Sequence, residues 1–282
     1  MRKKILAVAS GTLLFFVLCI LLVFIISVNQ AKNIVKLIDE KNYADLESAC
    51  ESALFIDKIP VYSQVMNALV ELNVWTPLQE ACLSNDVEAV TILLENGADP
   101  NKIPTFQLPW YAPVQIAASN GNVDMMALLI DHGADVEALG HNALVMLTKK
   151  ARWYMTDHAI SLEVYKAGYE LLEKHGMDAS HSSFEERPLL CEAALLSDIE
   201  VTNYLVSEKE ICATVCDSDN RTLLHFACLS GFTDPTTEYI QLLLDYGVDP
   251  AAKDSYGKTA YDYAAEQGLT EILDLLAYTS NP

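Results

Sequence analysis

The chain has 282 residues, with 18 Lys and Arg against 39 Asp and Glu, and a formal charge of −21. Half of the residues are apolar (51%), a fifth are charged (20%), and Gly and Pro number only 11 and 10. This excludes a disordered, collagen-like or low-complexity chain and leaves room for one or two domains with a substantial core. The acid excess argues against a protein that tracks nucleic-acid phosphates, which needs a basic face; it favours solubility and basic partners.

Residues 1–4 (Met1-Arg2-Lys3-Lys4) form a short basic segment, and Ile5 to Val28 follow without a charged side chain. A run of about 20 apolar residues, at ~1.5 Å each, crosses a hydrocarbon core. A cleaved signal peptide has a shorter apolar region and a small-x-small exit, and Asn29 before Ala31 fits that poorly. A lipoprotein anchor needs a small residue before Cys19, where Leu18 stands. The expectation is therefore a single transmembrane signal-anchor over 5–28. Arg2, Lys3 and Lys4 join the terminal amine ahead of the span, whereas Lys32, Lys36 and Lys41 are spread out behind it. That balance favours a cytoplasmic N-terminus and an extracytoplasmic C-terminal domain. The size and the basic anchor suit a bacterial envelope protein.

Cys19 lies in the span, leaving Cys50, Cys82, Cys191, Cys212, Cys216 and Cys228. There is no CxxC pair, because Cys212-Ala-Thr-Val-Cys216 places three residues between the thiols. Small core residues are the reading for most of them, and one disulfide involving Cys212 or Cys216 is the alternative.

Residues 29–72 read as a degenerate first repeat, with Ile34, Val35, Leu37 and Ile38 on one helix face and Tyr43, Leu46, Ala49 and Cys50 on another, followed by an inserted helix from Pro60 to Leu72. A clearer pattern then recurs. Thr76-Pro-Leu-Gln-Glu-Ala-Cys82 leads to Leu93-Leu-Glu-Asn-Gly-Ala-Asp99, and Ala112-Pro-Val-Gln-Ile-Ala-Ala118 leads to Leu129-Ile-Asp-His-Gly-Ala-Asp135. Thr222-Leu-Leu-His-Phe-Ala-Cys228 leads to Leu243-Leu-Asp-Tyr-Gly-Val-Asp249, and Thr259-Ala-Tyr-Asp-Tyr-Ala-Ala265 leads to Leu275-Leu276. Weaker copies open at Asn142 and Pro188. Thr76 can cap a helix, Pro77 suits its first turn, and Leu78, Ala81 and Cys82 share a face at spacings of three and four. Gly97, Gly133 and Gly247 follow a second helix, where a left-handed residue ends it at little cost.

These motifs resemble the ankyrin repeat, with its T-P-L-H-x-A opening in units of about 33 residues. The resemblance covers about 73–277 and implies an all-α solenoid of roughly six helix-turn-helix repeats with finger loops, ending in a polar tail at 278–282. It implies that the residue before each opening motif lies at a finger tip: Trp75, Tyr111, His141, Arg187, Arg221 and Lys258. Aromatics and Arg dominate interface hot spots, so this row is the candidate partner-binding site. The next concave row, which includes Leu83, Lys149, Lys150, Leu195, Leu196 and Leu229, adds leucines and a Lys pair.

No phosphate loop, HExxH or G-x-S-x-G is present. No catalytic residue, metal or cofactor is therefore expected, and His225 reads as a structural turn residue. The functional expectation is a membrane-tethered scaffold that binds a protein, without catalysis and without nucleic acid, in an oligomeric state left open. One alternative is an immunity or inhibitor protein acting on a toxin or enzyme at the membrane. The other is a metal-dependent envelope-stress factor or enzyme using His141, His158 or His175, with His181 and Asp178 as a further possible metal group.

Overall fold

In a computed structural model, the described residues are 29–30, 32–57, 76–102, 112–136, 143–144, 147, 160–177, 188–229 and 235–279. The anchor expected over 5–28, the inserted helix at 60–72 and the tail beyond 279 lie outside them. Among the described residues no helix is long and apolar enough to cross a membrane. By packing, the chain forms two units, residues 1–117 with 127–134, and 118–126 with 135–282.

In the first unit, residues 32–39 are helical and turn at Lys41, φ 52°, into α1 (Tyr43–Asp57). Then come α2 (Pro77–Leu83) and α3 (Val87–Glu95). Thr76 caps α2 by accepting from the Gln79 amide, while Gln79 Oε1 accepts from the Thr76 amide at 2.8 Å. This reciprocal box satisfies two of the donors that a helix start leaves open. Asp86 caps α3 and also accepts from the Tyr43 hydroxyl at 3.0 Å, tying α1 to the turn between α2 and α3. The buried faces are Leu78, Ala81 and Cys82 on α2, and Ala89, Val90, Leu93 and Leu94 on α3. Helices α4 (Pro113–Ser119) and α5 (Val123–Asp131), each divided between the two units, repeat the pattern.

The second unit contains α6 (Leu162–Lys174), α7 (Leu189–Leu195), α8 (Ile199–Asn203), α9 (Leu223–Leu229), α10 (Thr237–Asp245), α11 (Ala260–Gln267) and α12 (Thr270–Thr279). The short inner helices α7, α9 and α11 lie side by side, α8 packs on α6, and α10 packs on α12. Ala193, Ala194 and Ala227 are fully buried between them; small side chains allow this close approach, and no pair of helices buries its faces without its neighbours.

Most outer helices end in the same way. Ala98, Ala134, Met177 and Val248 each donate from the amide to the carbonyl five residues back, after a glycine at φ 81–98°. The helix begun by α8 departs from this. Tyr204–Glu208 is a π-turn, and Ile211 donates to Leu205, six residues back. Glu210, at φ 56°, occupies the left-handed position that glycine holds elsewhere. One extra residue is thus absorbed as a π-turn rather than as a loop.

Candidate functional site

Of the residues expected at finger tips, Arg221 and Lys258 are described; both belong to the second unit, each closes its turn by accepting from the amide of Asp217 or Asp254, and their loops are built alike. In the first finger, Asp217 Oδ1 accepts from the amides of Asp219 (3.0 Å) and Arg221 (2.8 Å), and Asn220 supplies a left-handed turn at φ 59°. In the second, Asp254 Oδ1 accepts from the amides of Tyr256 and Lys258, both at 2.9 Å, and Gly257 supplies the turn at φ 78°. An Asp four residues before the tip therefore organises each loop through its own backbone. The fingers are also joined to each other: the Ser255 amide donates to the Asp219 carbonyl at 2.8 Å, and Asn220 Nδ2 donates to Ser255 Oγ at 3.3 Å.

The second carboxylate oxygen separates the two tips. Asp217 Oδ2 holds Arg221 through Nε at 2.8 Å and Nη2 at 2.6 Å, and the Asp219 carboxylate adds a contact at 3.1 Å. The Arg221 guanidinium lies 5.2 Å from the Phe226 ring centre. Asp254 Oδ2 instead accepts from the Tyr263 hydroxyl at 2.6 Å, so Lys258 turns to Glu266, at 2.6 and 2.9 Å, and sits 5.0 Å from the Tyr263 ring centre. Burial disfavours ionisation of Asp254, but its hydrogen bonds from Tyr263 and from the Lys258 and Tyr256 amides outweigh it and hold the carboxyl below its usual range. The same bond to Asp254, together with burial, pushes Tyr263 up to about 12.

His225 lies beneath both fingers and is almost fully buried. The Thr222 amide approaches Nδ1 at 3.1 Å, and Nε2 lies 3.1 Å from the Lys258 carbonyl. An amide only donates, so Nδ1 is the unprotonated nitrogen and Nε2–H donates to Lys258. Gln79 in α2 and Asp262 in α11 accept from the opening amide at the same motif position. His225 adds a strut to the next finger, a structural task rather than a catalytic one.

Both tip cations therefore have carboxylate partners, while the Arg221 and Lys258 side chains stay 24% and 38% exposed. Trp75, Tyr111, His141 and Arg187 lie outside the described residues. Beside the tips, the structure exposes a residue that the motif spacing passes over: Tyr256, 71% exposed between Asp254 and Lys258. The available signal was an aromatic in a turn, Asp254-Ser-Tyr-Gly257, where small polar residues are usual. On the inner helices Leu195, Leu196 and Leu229 are half-buried, as is Leu83 in the first unit; Glu266 and Gln267 are exposed. Lys149 and Lys150 lie outside the described residues.

Cys50, Cys82, Cys191 and Cys228 are buried free thiols, whereas Cys212 and Cys216 are free and exposed. His175 follows α6 at its C-cap; His141, His158, Asp178 and His181 lie outside the described residues. Among the described residues no group of three His, Cys, Asp or Glu is placed to hold a metal ion.

Models of ankyrin repeats match this chain at residues 190–282 (the three-copy form) and 78–130 (the many-copy form). Zinc finger CCCH domain-containing protein 29 of Arabidopsis thaliana is 31% identical over 107 residues, which are 38% of this chain and 17% of that protein. A transient receptor potential cation channel subfamily A member 1 homolog of Caenorhabditis elegans is 31% identical over 119 residues, 42% of this chain and 10% of the channel. The chain thus spans under a fifth of either relative. Among solved structures, the human ASB11 ankyrin repeat domain aligns over 84% of this chain and 97% of that one, with a TM-score of 0.56 at 21% identity. A chain in the complex of the predatory endopeptidase Bd0816 from Bdellovibrio bacteriovorus with immunity protein Bd3460 aligns over 71% of this chain and 96% of its own length, with a TM-score of 0.53 at 22% identity. At these identities the likeness concerns the fold.

Proposed function

This chain belongs to the ankyrin-repeat family, whose fold is a protein-interaction scaffold, and we propose that it docks a protein partner on its finger tips and inner helices and catalyses no reaction itself. The observation that carries this reading is the hydrogen-bonded build of the fingers around Asp217, Asp254 and His225, with Tyr256 exposed in the second finger. A loop already ordered by its own hydrogen bonds loses little conformational freedom on binding, and Tyr and Arg are residue types enriched among interface anchors. Trp75, Tyr111, His141 and Arg187 join the proposed surface on their sequence positions alone.

The test is in-cell crosslinking of the tagged full chain, comparing wild type with a Tyr256→Ser, Lys258→Ala double variant. The partner crosslinked to wild type should be lost from the variant while its thermal midpoint stays nearly unchanged. Retention of the same partner at the same yield would refute the role of this finger.

A narrower reading is that the partner is a toxin or an enzyme held inactive. The solved complex of an endopeptidase with an immunity protein, which contains a chain aligning with this one, favours it. Loss of this chain should then make cells sensitive to the crosslinked partner, and unchanged growth on expressing that partner alone would reject it.

The apolar run at 5–28 further supports a tether, with the repeats on the extracytoplasmic side of a bacterial envelope. Protease added to intact spheroplasts should remove a C-terminal tag while a cytosolic control survives. Protection of the tag until the membrane is dissolved would place the repeats in the cytosol.

A further inference from the structure

The six cysteines among the described residues fall into two groups. Cys50, Cys82, Cys191 and Cys228 are buried; burial pushes Cys50 up to about 11, Cys228 up to about 12, and Cys82 further up. Cys50, Cys82 and Cys228 thus stay protonated, and burial screens all four thiols from reagents. Cys212 and Cys216 are both exposed, and both lie in the loop that runs from the π-turn to the Arg221 tip.

Their surroundings suit chemistry rather than packing. Cys212 Sγ lies 3.0 Å from Thr214 Oγ1. The Thr214 hydroxyl and backbone amide together hold the Cys212 thiol below its ordinary range, with only a small opposing effect of burial. Between the two cysteines the chain turns at Ala213–Thr214, with the Ala213 side chain buried beneath the turn. Cys216 then pairs with Thr222 in an isolated antiparallel bridge, directly before the Asp217 that holds Arg221. Two exposed thiols therefore share one short loop, the first with the Thr214 hydroxyl within hydrogen-bond distance of its sulfur.

We propose that Cys212 and Cys216 form a thiol–disulfide exchange site that reacts with low-molecular-weight disulfides such as oxidised glutathione. The Cys212 thiolate attacks one sulfur of the small disulfide, breaking its S–S bond and expelling one thiolate, which takes up the proton Cys212 has lost. The product is a mixed disulfide on Cys212. Cys216 then attacks the Cys212 sulfur, releases the second small thiol with its proton and closes a Cys212–Cys216 disulfide. Two protein thiols are oxidised and one small disulfide is reduced to two thiols; an excess of small thiol reverses both steps. Closure cross-links the loop just ahead of the Cys216–Thr222 bridge and so couples the redox poise to the finger that carries Arg221. The chemistry stands apart from the docking proposal, because mass reads it with no partner present.

The experiment treats the reduced, detergent-solubilised full chain with oxidised glutathione and follows it by intact mass and peptide mapping. Wild type should lose two hydrogens as a Cys212–Cys216 disulfide, with the four buried thiols untouched. Cys216→Ser should stop at a glutathione adduct on Cys212, and Cys212→Ser should slow reaction of the loop by about tenfold. In unmutated protein, iodoacetamide should label Cys212 about fivefold faster than Cys216, a measurement that needs no variant to fold. Equal labelling of the two thiols, an undiminished rate in Cys212→Ser, or a disulfide that leaves out either cysteine would overturn the proposal.

Discussion

Asp217 and Asp254 occupy the same loop position, yet their second oxygens meet different partners, and the consequences differ. The Asp217 side chain is 1% exposed and its charge is matched by Arg221. Removing one partner of such a pair leaves an uncompensated charge. Arg221→Ala should therefore lower stability by about 1–3 kcal/mol in urea titration, the partial exposure of Arg221 keeping the loss below that of a fully buried pair. Lys258→Ala, which breaks an exposed pair with Glu266, should cost about 0–1 kcal/mol. Equal losses would mean that Asp217 draws its support from the loop amides alone. Asp254 and Asp262 are both held below the usual carboxylate range, Asp262 by the Thr259 amide and hydroxyl. A carboxylate depressed in the folded state lends stability that is present above its unfolded pKa, about 3.9, and lost as pH falls through the folded value. The thermal midpoint should thus fall on acidification below about pH 4, and Asp254→Asn should be less stable at pH 7 with a flatter acid limb. An unchanged acid limb in that variant would assign the acid sensitivity to other carboxylates.

At the scale of elements, the informative place is the helix end at 204–211. Four outer helices reach their closing bond through a glycine in the left-handed region; this one uses Glu210 and a π-turn. Lys209, whose amide closes the π-turn onto the Tyr204 carbonyl, is not idle. It bonds Glu173 of α6 at 2.7 Å and lies 4.5 Å from the centre of the Tyr169 ring, while Lys166 of α6 reaches Glu208 at 2.5 Å. Tyr165 and Tyr169 meet Tyr204 edge-on at 6.1 and 5.6 Å. The insertion thus braces one outer helix against the next through aromatic and charged contacts. Because a side chain in the left-handed region is strained, Glu210→Gly should raise stability by about 0.5–1 kcal/mol. Gly247→Ala, at φ 81°, should lower it by about 1 kcal/mol. Urea titration of the two variants measures both. A stability loss in Glu210→Gly would show that the unfolded-state cost of glycine exceeds the strain it relieves.

At the scale of the molecule, a formal charge of −21 means that most exposed charges repel one another. Screening falls to about 8 Å at physiological ionic strength. Raising sodium chloride from about 10 to 200 mM should therefore raise the thermal midpoint by a few degrees. A drop would mean that the ion pairs of α6 and of the first finger outweigh the general repulsion. The same field favours encounter with basic partners and predicts that their association slows as salt rises.

The all-helical repeat fold, the capping role of Thr76, the buried face of α2, and the left-handed Gly97, Gly133 and Gly247 were all legible in the residues. Each depends on spacing along the chain and on local backbone preference. The positions of Arg221 and Lys258, each directly before an opening motif, could also be counted from the sequence. Their partners could not be. The motif does not say that Arg221 spends its charge on Asp217, that Lys258 turns away to Glu266, or that Tyr256 is left exposed in the second finger. Those outcomes depend on which oxygen of a loop carboxylate a neighbouring hydroxyl claims first, as Tyr263 does at Asp254. The π-turn was equally hidden, since one extra residue reads as a poor repeat end until packing against α6 rewards it. Sequence determined the repeat because each unit is a local pattern. Tertiary structure decided which charges are spent within the scaffold and which side chains it still offers, because pairing is settled between loops and helices that only folding brings together.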